Sequence, residues 1–148
     1  MTVLEGNDAT FTVKLDTIPT GDVVLTFVSS DAGEAVVSPA DLELTFTTGN
    51  WDTTQTVTVT GVDDSIDDGN QDTTVTIAVD DDNSDNAFDG LADQTVTATT
   101  TDDDTAAFTL STTTASVTEA GGTATFTVVL DTQPTSDVVV TVTSADTG

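Results

Sequence analysis

The chain has almost no basic side chains. Against 27 Asp and Glu residues it carries one Lys or Arg in total, Lys14, so that its formal net charge is −26 over 148 residues. Such a surface repels the phosphates of nucleic acid and anionic membrane surfaces. It also lowers folding stability through self-repulsion unless cations or high salt offset the charge. We therefore expect no nucleic-acid partner and a folded state that benefits from cations.

Cysteine and histidine are both absent. No disulfide can constrain the fold, although extracellular β-domains often use them. The absence of both residue types also excludes zinc and most transition-metal sites, which use sulfur and imidazole ligands. Sites built from oxygen alone favour the hard cations Ca²⁺ and Mg²⁺.

Long apolar runs and aromatic residues are scarce as well. No segment approaches the ~20 apolar residues of a membrane-spanning helix, so we expect no membrane insertion. Aromatic residues make up 5% of the chain and fall mostly at core-facing positions, which leaves no aromatic-lined cleft for paired carboxylates to hydrolyse a glycoside. We therefore expect no enzyme. The first residues do not resemble a signal peptide, and if the protein is exported we expect this sequence to be an excerpt of a longer chain.

An internal repeat organises the chain. Residues 9–33 match residues 124–148 at about 17 of 25 positions, and the offset of 115 residues is a usual length for a sandwich domain. We predict a first repeat over residues 1–105 that lacks its first strand segment, and the N-terminal part of a second repeat over residues 106–148. Neither end falls at a natural boundary of a repeat.

Apolar residues alternate with Thr between turn residues, which predicts short β-strands and no helix. The predicted strands of the first repeat are B (10–16), C (around 23–27), D (41–47), E (56–62), F (73–79) and G (95–101), and 106–110 with 115–119 form the split first strand of the second repeat. Trp51 is expected to plug the end of the sandwich. The pattern predicts an all-β fold, an antiparallel immunoglobulin-like sandwich of about seven strands, tandemly repeated.

Acidic residues concentrate in loops and are nearly absent from the strand faces. In such a sandwich the A–B, C–D and E–F loops lie at one pole with the end of strand G. These segments carry about ten acids, namely Glu5, Asp31, Glu34, Asp63, Asp64, Asp67, Asp68, Asp102, Asp103 and Asp104. Calcium takes about six to eight oxygen ligands, so this pole could hold two or more ions. The alternative is a halophile-like acidic surface that only holds water, which the clustering in loops disfavours.

Two further features leave alternatives open. In the F–G loop at the opposite pole, Asp80, Asp82, Ser84 and Asn86 alternate somewhat like the early ligands of a calcium loop, but no Glu closes the pattern. A solvated loop is favoured there over a separate ion site or a contact with the calcium pole of a preceding repeat. Glu5 and Glu119 occupy equivalent loops, where backbone capping and calcium binding are equal alternatives.

Several segments resemble the Calx-beta family. They are VLEGNDATFTV, VTEAGGTATFTV, SSDAG, the block from LTFTTGNWD to DDGNQDTTVTI, and TVTATTTDDD. The resemblance spans nearly the whole chain and is especially close to the tandem repeats of very large bacterial surface and secreted proteins. It implies a calcium-binding domain at an extracellular or cell-surface location, with ligands at Asp31, Asp63, Asp64, Asp68, Asp102, Asp103 and Asp104, and Glu5 is added as a candidate.

Two positions depart from the family pattern. The early Glu of the family's first strand falls near Ser111 or Thr112 in the second repeat, and a later E–F acid corresponds to Gln71. The resemblance therefore implies that one site is weaker or absent.

We expect a calcium-binding structural repeat of an extracellular adhesin-like or matrix protein, in which Ca²⁺ stiffens the loop pole and the joint to neighbouring repeats of the same chain. The alternative is a subunit of a homopolymeric filament. The first repeat lacks its first strand and the second stops after strand C, and exposed edges of this kind invite strand donation between identical chains. A window cut from a long array would produce the same ends.

Overall fold

The computed structural model, which describes residues 1–38 and 42–145, divides the chain into two compact units. The first comprises Met1–Asp64 and Gly69–Asp103, and the second comprises Ser65–Asp68 and Asp104–Gly148. Asp41, which begins predicted strand D, lies outside the described residues, as do positions 146–148, which end the repeated segment.

Among its described residues the first unit contains eight strands in two sheets. They are β1 (Thr2–Leu4), β2 (Asp8–Val13), β3 (Val23–Ser29), β4 (Ala35–Ser38), β5 (Glu43–Phe46), β6 (Gln55–Gly61), β7 (Gln71–Val79) and β8 (Gln94–Thr101). One sheet has the order β1-β8-β7-β3-β5, and the other has the order β2-β6-β4. Neighbouring strands are antiparallel except β1 and β8, which pair in parallel.

The two sheets enclose one hydrophobic core, which confirms the predicted all-β, immunoglobulin-like sandwich. In β6, Val57 and Val59 are fully buried while Thr58 between them and the flanking Thr56 and Thr60 are more exposed, because successive side chains of a strand point to opposite faces. Val23 of β3 and Phe46 of β5 enter the same core from the other sheet. Each large apolar side chain buried in this way stabilises the fold by about 1.5–3 kcal/mol. Trp51 packs against this core, as expected of a plug.

Two of the strands carry no clear signal in the sequence. β4 lies in what the sequence pattern predicts to be a long loop, and it pairs with β6 from Ala35↔Gly61 to Ser38↔Thr58. β1 has three residues and pairs with β8 from Thr2↔Thr99 to Leu4↔Thr101. Both are too short for a period-2 pattern to stand out, and both depend on partners far away in the sequence.

The second unit contains β9 (Phe108–Leu110) and β10 (Val128–Leu130), which pair antiparallel. β9 lies within the predicted strand at 106–110. The predicted strand at 115–119 is wrong, because those residues have irregular and turn conformations. In the first unit the corresponding segment is β1, which is held by β8, and the described part of the second unit contains no counterpart of β8.

The described residues contain one helix, a single 3-10 turn at Asp81–Asn83 between β7 and β8. Within that part of the chain no helix has the length and apolar character needed to cross a membrane.

Candidate metal centre

The ends of β1, β6 and β8 meet at one pole of the first unit. β1 ends at Leu4, opposite Thr101 at the end of β8. The next residue, Glu5, forms a parallel bridge with Gly61 at the end of β6. The Glu5 N–H donates to the Thr101 carbonyl at 3.2 Å, and the Gly6 N–H donates to the Gly61 carbonyl at 3.1 Å. Glu5 is therefore held by strands of both sheets.

Two glycines allow this close approach. A Cβ atom at Gly61 would lie 2.8 Å from the Leu4 carbonyl oxygen, so β1 and β6 can come this near only without a side chain there. Gly6 has a φ of +66°, in the left-handed region that glycine tolerates best. A Cβ atom on Gly6 would lie 3.7 Å from the Cβ of Asp63. The turn at Gly6 thus brings the loop after β1 against the loop after β6.

Glu5 is the buried member of an acidic cluster. Its side chain is 5% exposed, whereas Asp63 and Asp103 are exposed. One carboxylate oxygen from each of these three residues lies within 4.8 Å of the other two, and Glu5 and Asp102 approach each other within the same distance. Like charges about 4 Å apart repel by roughly 4 kcal/mol at an effective dielectric of about 20. A cation placed among these oxygens converts that repulsion into attraction.

Asp102 also connects the loop after β6 to the end of β8. Its carboxylate accepts the Gly69 N–H at 2.7 Å, and its own N–H donates to Asn70 Oδ1 at 3.2 Å. Gly69 has a φ of +78°, which lets the backbone turn toward the carboxylate. These bonds hold the entry to β7 beside the end of β8.

The structure brings only part of the predicted ligand set together. Within the first unit, Glu5 lies close to Asp63 and Asp103, which also lie close to each other, and Glu5 separately lies close to Asp102. Asp31 is exposed, and its Oδ1 accepts the Gly33 N–H at 2.9 Å within its own loop. In the part of the chain that the structure describes, the closely spaced carboxylate groups include neither Asp31 nor Asp64. Asp68 and Asp104 belong to the second unit, and the role of every residue of the predicted set as a ligand stays a prediction.

The loop between β3 and β4 nevertheless reaches the same pole. The Glu34 carbonyl accepts the Val62 N–H at 2.8 Å and the Thr100 hydroxyl at 3.1 Å. This places the backbone of the loop beside the ends of β6 and β8, as the sandwich topology predicts.

The donor atoms of the cluster suit a hard divalent cation. All are carboxylate oxygens, the ligand type that Ca²⁺ and Mg²⁺ prefer. Ca²⁺ binds oxygen at about 2.3–2.6 Å, so two ligands on opposite sides of one ion are separated by about twice that distance. The oxygens of Glu5, Asp63 and Asp103 lie within 4.8 Å of one another, so these three residues can share a single ion without movement of the strands that carry them.

At the opposite pole, Asp85 has a role that the sequence pattern does not reveal. Its Oδ1 accepts the Ala87 N–H at 3.0 Å. Its Oδ2 accepts the Thr20 hydroxyl at 2.7 Å, the Thr20 N–H at 2.6 Å and the Gly21 N–H at 3.0 Å. These hydrogen bonds, that from Ala87 first and those from Thr20 next, lower the pKa of Asp85 from 3.8 to about 2. The carboxylate therefore ties the β7–β8 loop to the turn between β2 and β3.

The β7–β8 loop is also partly packed, which corrects the expectation of a solvated loop. Phe88 is 8% exposed and belongs to the core. Ser84, one of the four positions considered for an ion, accepts the Val24 N–H at 2.9 Å through its hydroxyl. The available signal in the sequence is the Pro19-Thr20-Gly21 turn, whose N–H groups lie at the same pole and need an acceptor.

No protein-family model and no curated protein sequence matches the chain. Among solved structures, the chain is similar to SSP-19, an MSP-domain-like family member of Caenorhabditis elegans. The two are 15% identical, with a TM-score of 0.37 over 68% of this chain and 91% of that one.

Proposed function

We propose that the first unit binds Ca²⁺ at the pole formed by Glu5, Asp63, Asp102 and Asp103, and that the protein is a calcium-stabilised structural repeat. The observation that carries this proposal is the burial of the Glu5 carboxylate within 4.8 Å of carboxylates from two other strand ends. A net charge of −26 makes carboxylates in contact unfavourable for folding unless a cation lies among them.

The position of the cluster explains how an ion would stiffen the fold. Glu5 follows β1 and Asp103 follows β8, both in the five-stranded sheet, whereas Asp63 follows β6 in the three-stranded sheet. An ion shared by these residues links the two sheets at one end of the sandwich. A chain without cysteine gains from the metal a cross-link that disulfides often supply to extracellular domains.

The location that fits this function is extracellular. Extracellular calcium modules typically bind with dissociation constants of about 10⁻⁴–10⁻³ M, which are weaker than those of cytosolic sensors. Millimolar calcium outside the cell would keep such a site filled. We infer an adhesin-like or matrix protein in which neighbouring repeats of the same chain are the partners of this one.

Thermal unfolding of the full chain tests the proposal. An ion that binds only the folded state stabilises it by about 2.7 kcal/mol when its concentration is a hundredfold above the dissociation constant. For a domain of this size we expect Ca²⁺ to raise the melting temperature by roughly 10–20 °C relative to chelator. Mg²⁺ should raise it less, because Mg²⁺ demands octahedral geometry and retains its waters. Equal melting temperatures in chelator and in saturating Ca²⁺ would reject the site.

A further inference from the structure

An apolar groove opens beside β2 in the first unit. β2 lies at the edge of the three-stranded sheet, and its Phe11 and Val13 are partly buried. The groove has a volume of about 740 Å³, and side chains from both sheets and from the loop before β8 line it. Among them are Phe11, Val13, Ile77, Val79, Leu91 and Val96. Leu91 is 57% exposed, so apolar surface of the groove faces solvent.

In the second unit, the segment that corresponds to the end of β2 has a strand paired with it. At the offset of 115 residues, β10 corresponds to residues 13–15. β9 pairs with β10 in the antiparallel register Phe108↔Leu130, Thr109↔Val129 and Leu110↔Val128. Two hydrogen bonds extend the pairing, from the Ser111 N–H to the Thr127 carbonyl at 3.0 Å and from the Asp131 N–H to the Ala107 carbonyl at 2.9 Å.

The backbone of the first unit is oriented for the same pairing. The Leu15 N–H donates to the Trp51 carbonyl at 2.9 Å, on the side of β6. The N–H and C=O groups of successive residues in an extended chain point to opposite neighbouring strands. The N–H and C=O of Lys14 therefore point away from β6, toward the open edge of the sheet. Lys14 is the counterpart of Val129, which is opposite Thr109 of β9. The edge of the first unit thus presents the groups that hold β9 in the second.

We propose that this groove accepts strand β9 of a second copy of the chain. The register of the second unit places Phe108 of the incoming strand opposite Leu15, Thr109 opposite Lys14 and Leu110 opposite Val13. Phe108 and Leu110 are two residues apart and therefore lie on the same face of the strand, so both side chains enter the groove between the sheets.

Burial of apolar surface drives the exchange. In the second unit Phe108 is 54% exposed and Leu110 is 37% exposed, and an isolated pair of short strands is marginally stable in water. In the groove, Phe108 and Leu110 would contact apolar side chains of both sheets. Moving β9 from its own second unit into the groove of another copy therefore removes more of their apolar area from water. Because the donating and accepting surfaces differ, each copy can donate to one neighbour and accept from another, and copies add head to tail.

Solution mass tests whether copies associate. We expect the mass of the full chain to rise with protein concentration in steps of 15.1 kDa, and Phe108→Asp to leave a monomer. Val139→Asp is the matched control, because Val139 is in the second unit, outside β9, and is 86% exposed; this variant should assemble like the native chain. A native chain that stays monomeric at all concentrations overturns the proposal.

Cysteine cross-linking tests the register. The sequence contains no Cys, so a mixture of a Lys14→Cys chain with a Thr109→Cys chain can form only the disulfides that these substitutions introduce. We expect a disulfide-linked heterodimer from this mixture and little from Lys14→Cys mixed with Thr114→Cys, five residues beyond the predicted contact. Equal yields from the two mixtures overturn the proposed register.

A peptide distinguishes the source of the strand. The sequence TAAFTLSTT (residues 105–113) should bind the full-length Phe108→Asp chain, and the same peptide with Asp in place of Phe should not. It should also dissociate assemblies of the native chain. If the peptide binds but the native chain remains monomeric, the groove accepts such a strand from elsewhere and the second-copy proposal is wrong.

Discussion

Glu5 places a buried carboxylate close to those of Asp63 and Asp103, and also close to that of Asp102, so this residue decides whether the pole is a metal site. We predict that Glu5→Gln weakens Ca²⁺ binding at least about tenfold, equivalent to about 1.4 kcal/mol of lost binding free energy. In chelator the same variant should unfold at a higher temperature than the native chain, because one repelling charge is removed. Isothermal titration calorimetry and thermal melts measure the two effects.

The matched control for this substitution is Glu43→Gln. Glu43 is an exposed residue of β5, so the change in charge is the same but the acidic cluster is untouched. Calcium binding by Glu43→Gln should equal that of the native chain. If Glu5→Gln also binds calcium as the native chain does, the cluster around Glu5 is not the site.

The carboxyl group of Asp85 makes the stability of the fold depend on pH. Its pKa is about 2 in the folded state against 3.8 ordinarily, so the folded chain holds this proton less readily than the unfolded chain. The stability contributed by Asp85 is therefore complete above pH 3.8 and is lost as the pH falls through about 2. NMR titration of the Asp85 carboxyl carbon and of the Gly21 and Ala87 amides should give a midpoint near pH 2.

Substitution of Asp85 tests whether these hydrogen bonds hold the β7–β8 loop against the turn between β2 and β3. Asp85→Asn retains one acceptor oxygen but loses the charge, so the amide signals of Thr20 and Gly21 should no longer shift in this pH range and the melting temperature at neutral pH should fall. Asp82→Asn, in the exposed 3-10 turn, should leave both unchanged. A midpoint near pH 3.8 for Asp85 itself contradicts the prediction.

At the scale of elements, the parallel approach of β1 to β6 and β8 holds Glu5 in place, and Gly61 makes that approach possible. A Cβ there would lie 2.8 Å from a backbone oxygen of β1, which only movement of a strand can relieve. We predict that Gly61→Ala destabilises the fold by about 1–3 kcal/mol and lowers calcium affinity. Urea unfolding and calorimetry test this against Gly90→Ala, where no atom lies within 4 Å of the added Cβ; equal effects of the two substitutions would exclude strain at Gly61.

The elements also show how far the sequence alone leads. Period-2 alternation predicts β3 and β6 with their buried positions, because those strands contribute an entire row of side chains to the core. It misses β1 and β4, whose existence depends on hydrogen bonds to β8 and β6. Residues 115–119 carry a strand-like pattern and form no strand. A short segment becomes a strand when a partner lies beside it, and single-sequence patterns do not contain that information.

The candidate site likewise has one part that the sequence predicts and another that depends on contacts between distant segments. Strand order places Asp63, Asp102 and Asp103 at one pole, since all three follow strand ends that the alternation indicates. The burial of Glu5 arises from its bridge to Gly61, a contact between segments more than fifty residues apart, and the sequence therefore leaves capping and metal binding as equal alternatives. The local hydrogen bond from Gly33 to Asp31 is likewise visible only in the folded chain.

At the scale of the whole molecule, a net charge of −26 makes stability depend on ions in two separable ways. Dissolved salt screens the repulsion between all exposed carboxylates. The distance over which two charges interact shortens from about 10 Å at 0.1 M salt to about 3 Å at 1 M. We predict that NaCl raises the melting temperature of the native chain and of Glu5→Gln equally, because both carry nearly the same charge. The measurement is a series of thermal melts in increasing NaCl with chelator present.

The same thermal melts with calcium in place of chelator distinguish an ion bound at the cluster from counterions that only gather near the acidic surface. An ion held as we propose by carboxylate oxygens within 4.8 Å of one another around a buried Glu5 would be in direct contact with them, and screening weakens such an interaction much less than it weakens interactions between exposed charges. In about 1 M NaCl the native chain should therefore keep most of the increase in melting temperature that Ca²⁺ produces, whereas Glu5→Gln should show little increase at any salt concentration. If the increase disappears in high salt for both chains, the acids act as a halophile-like surface that gathers counterions, and the stiffening of the sandwich by a metal at the ends of β1, β6 and β8 is excluded.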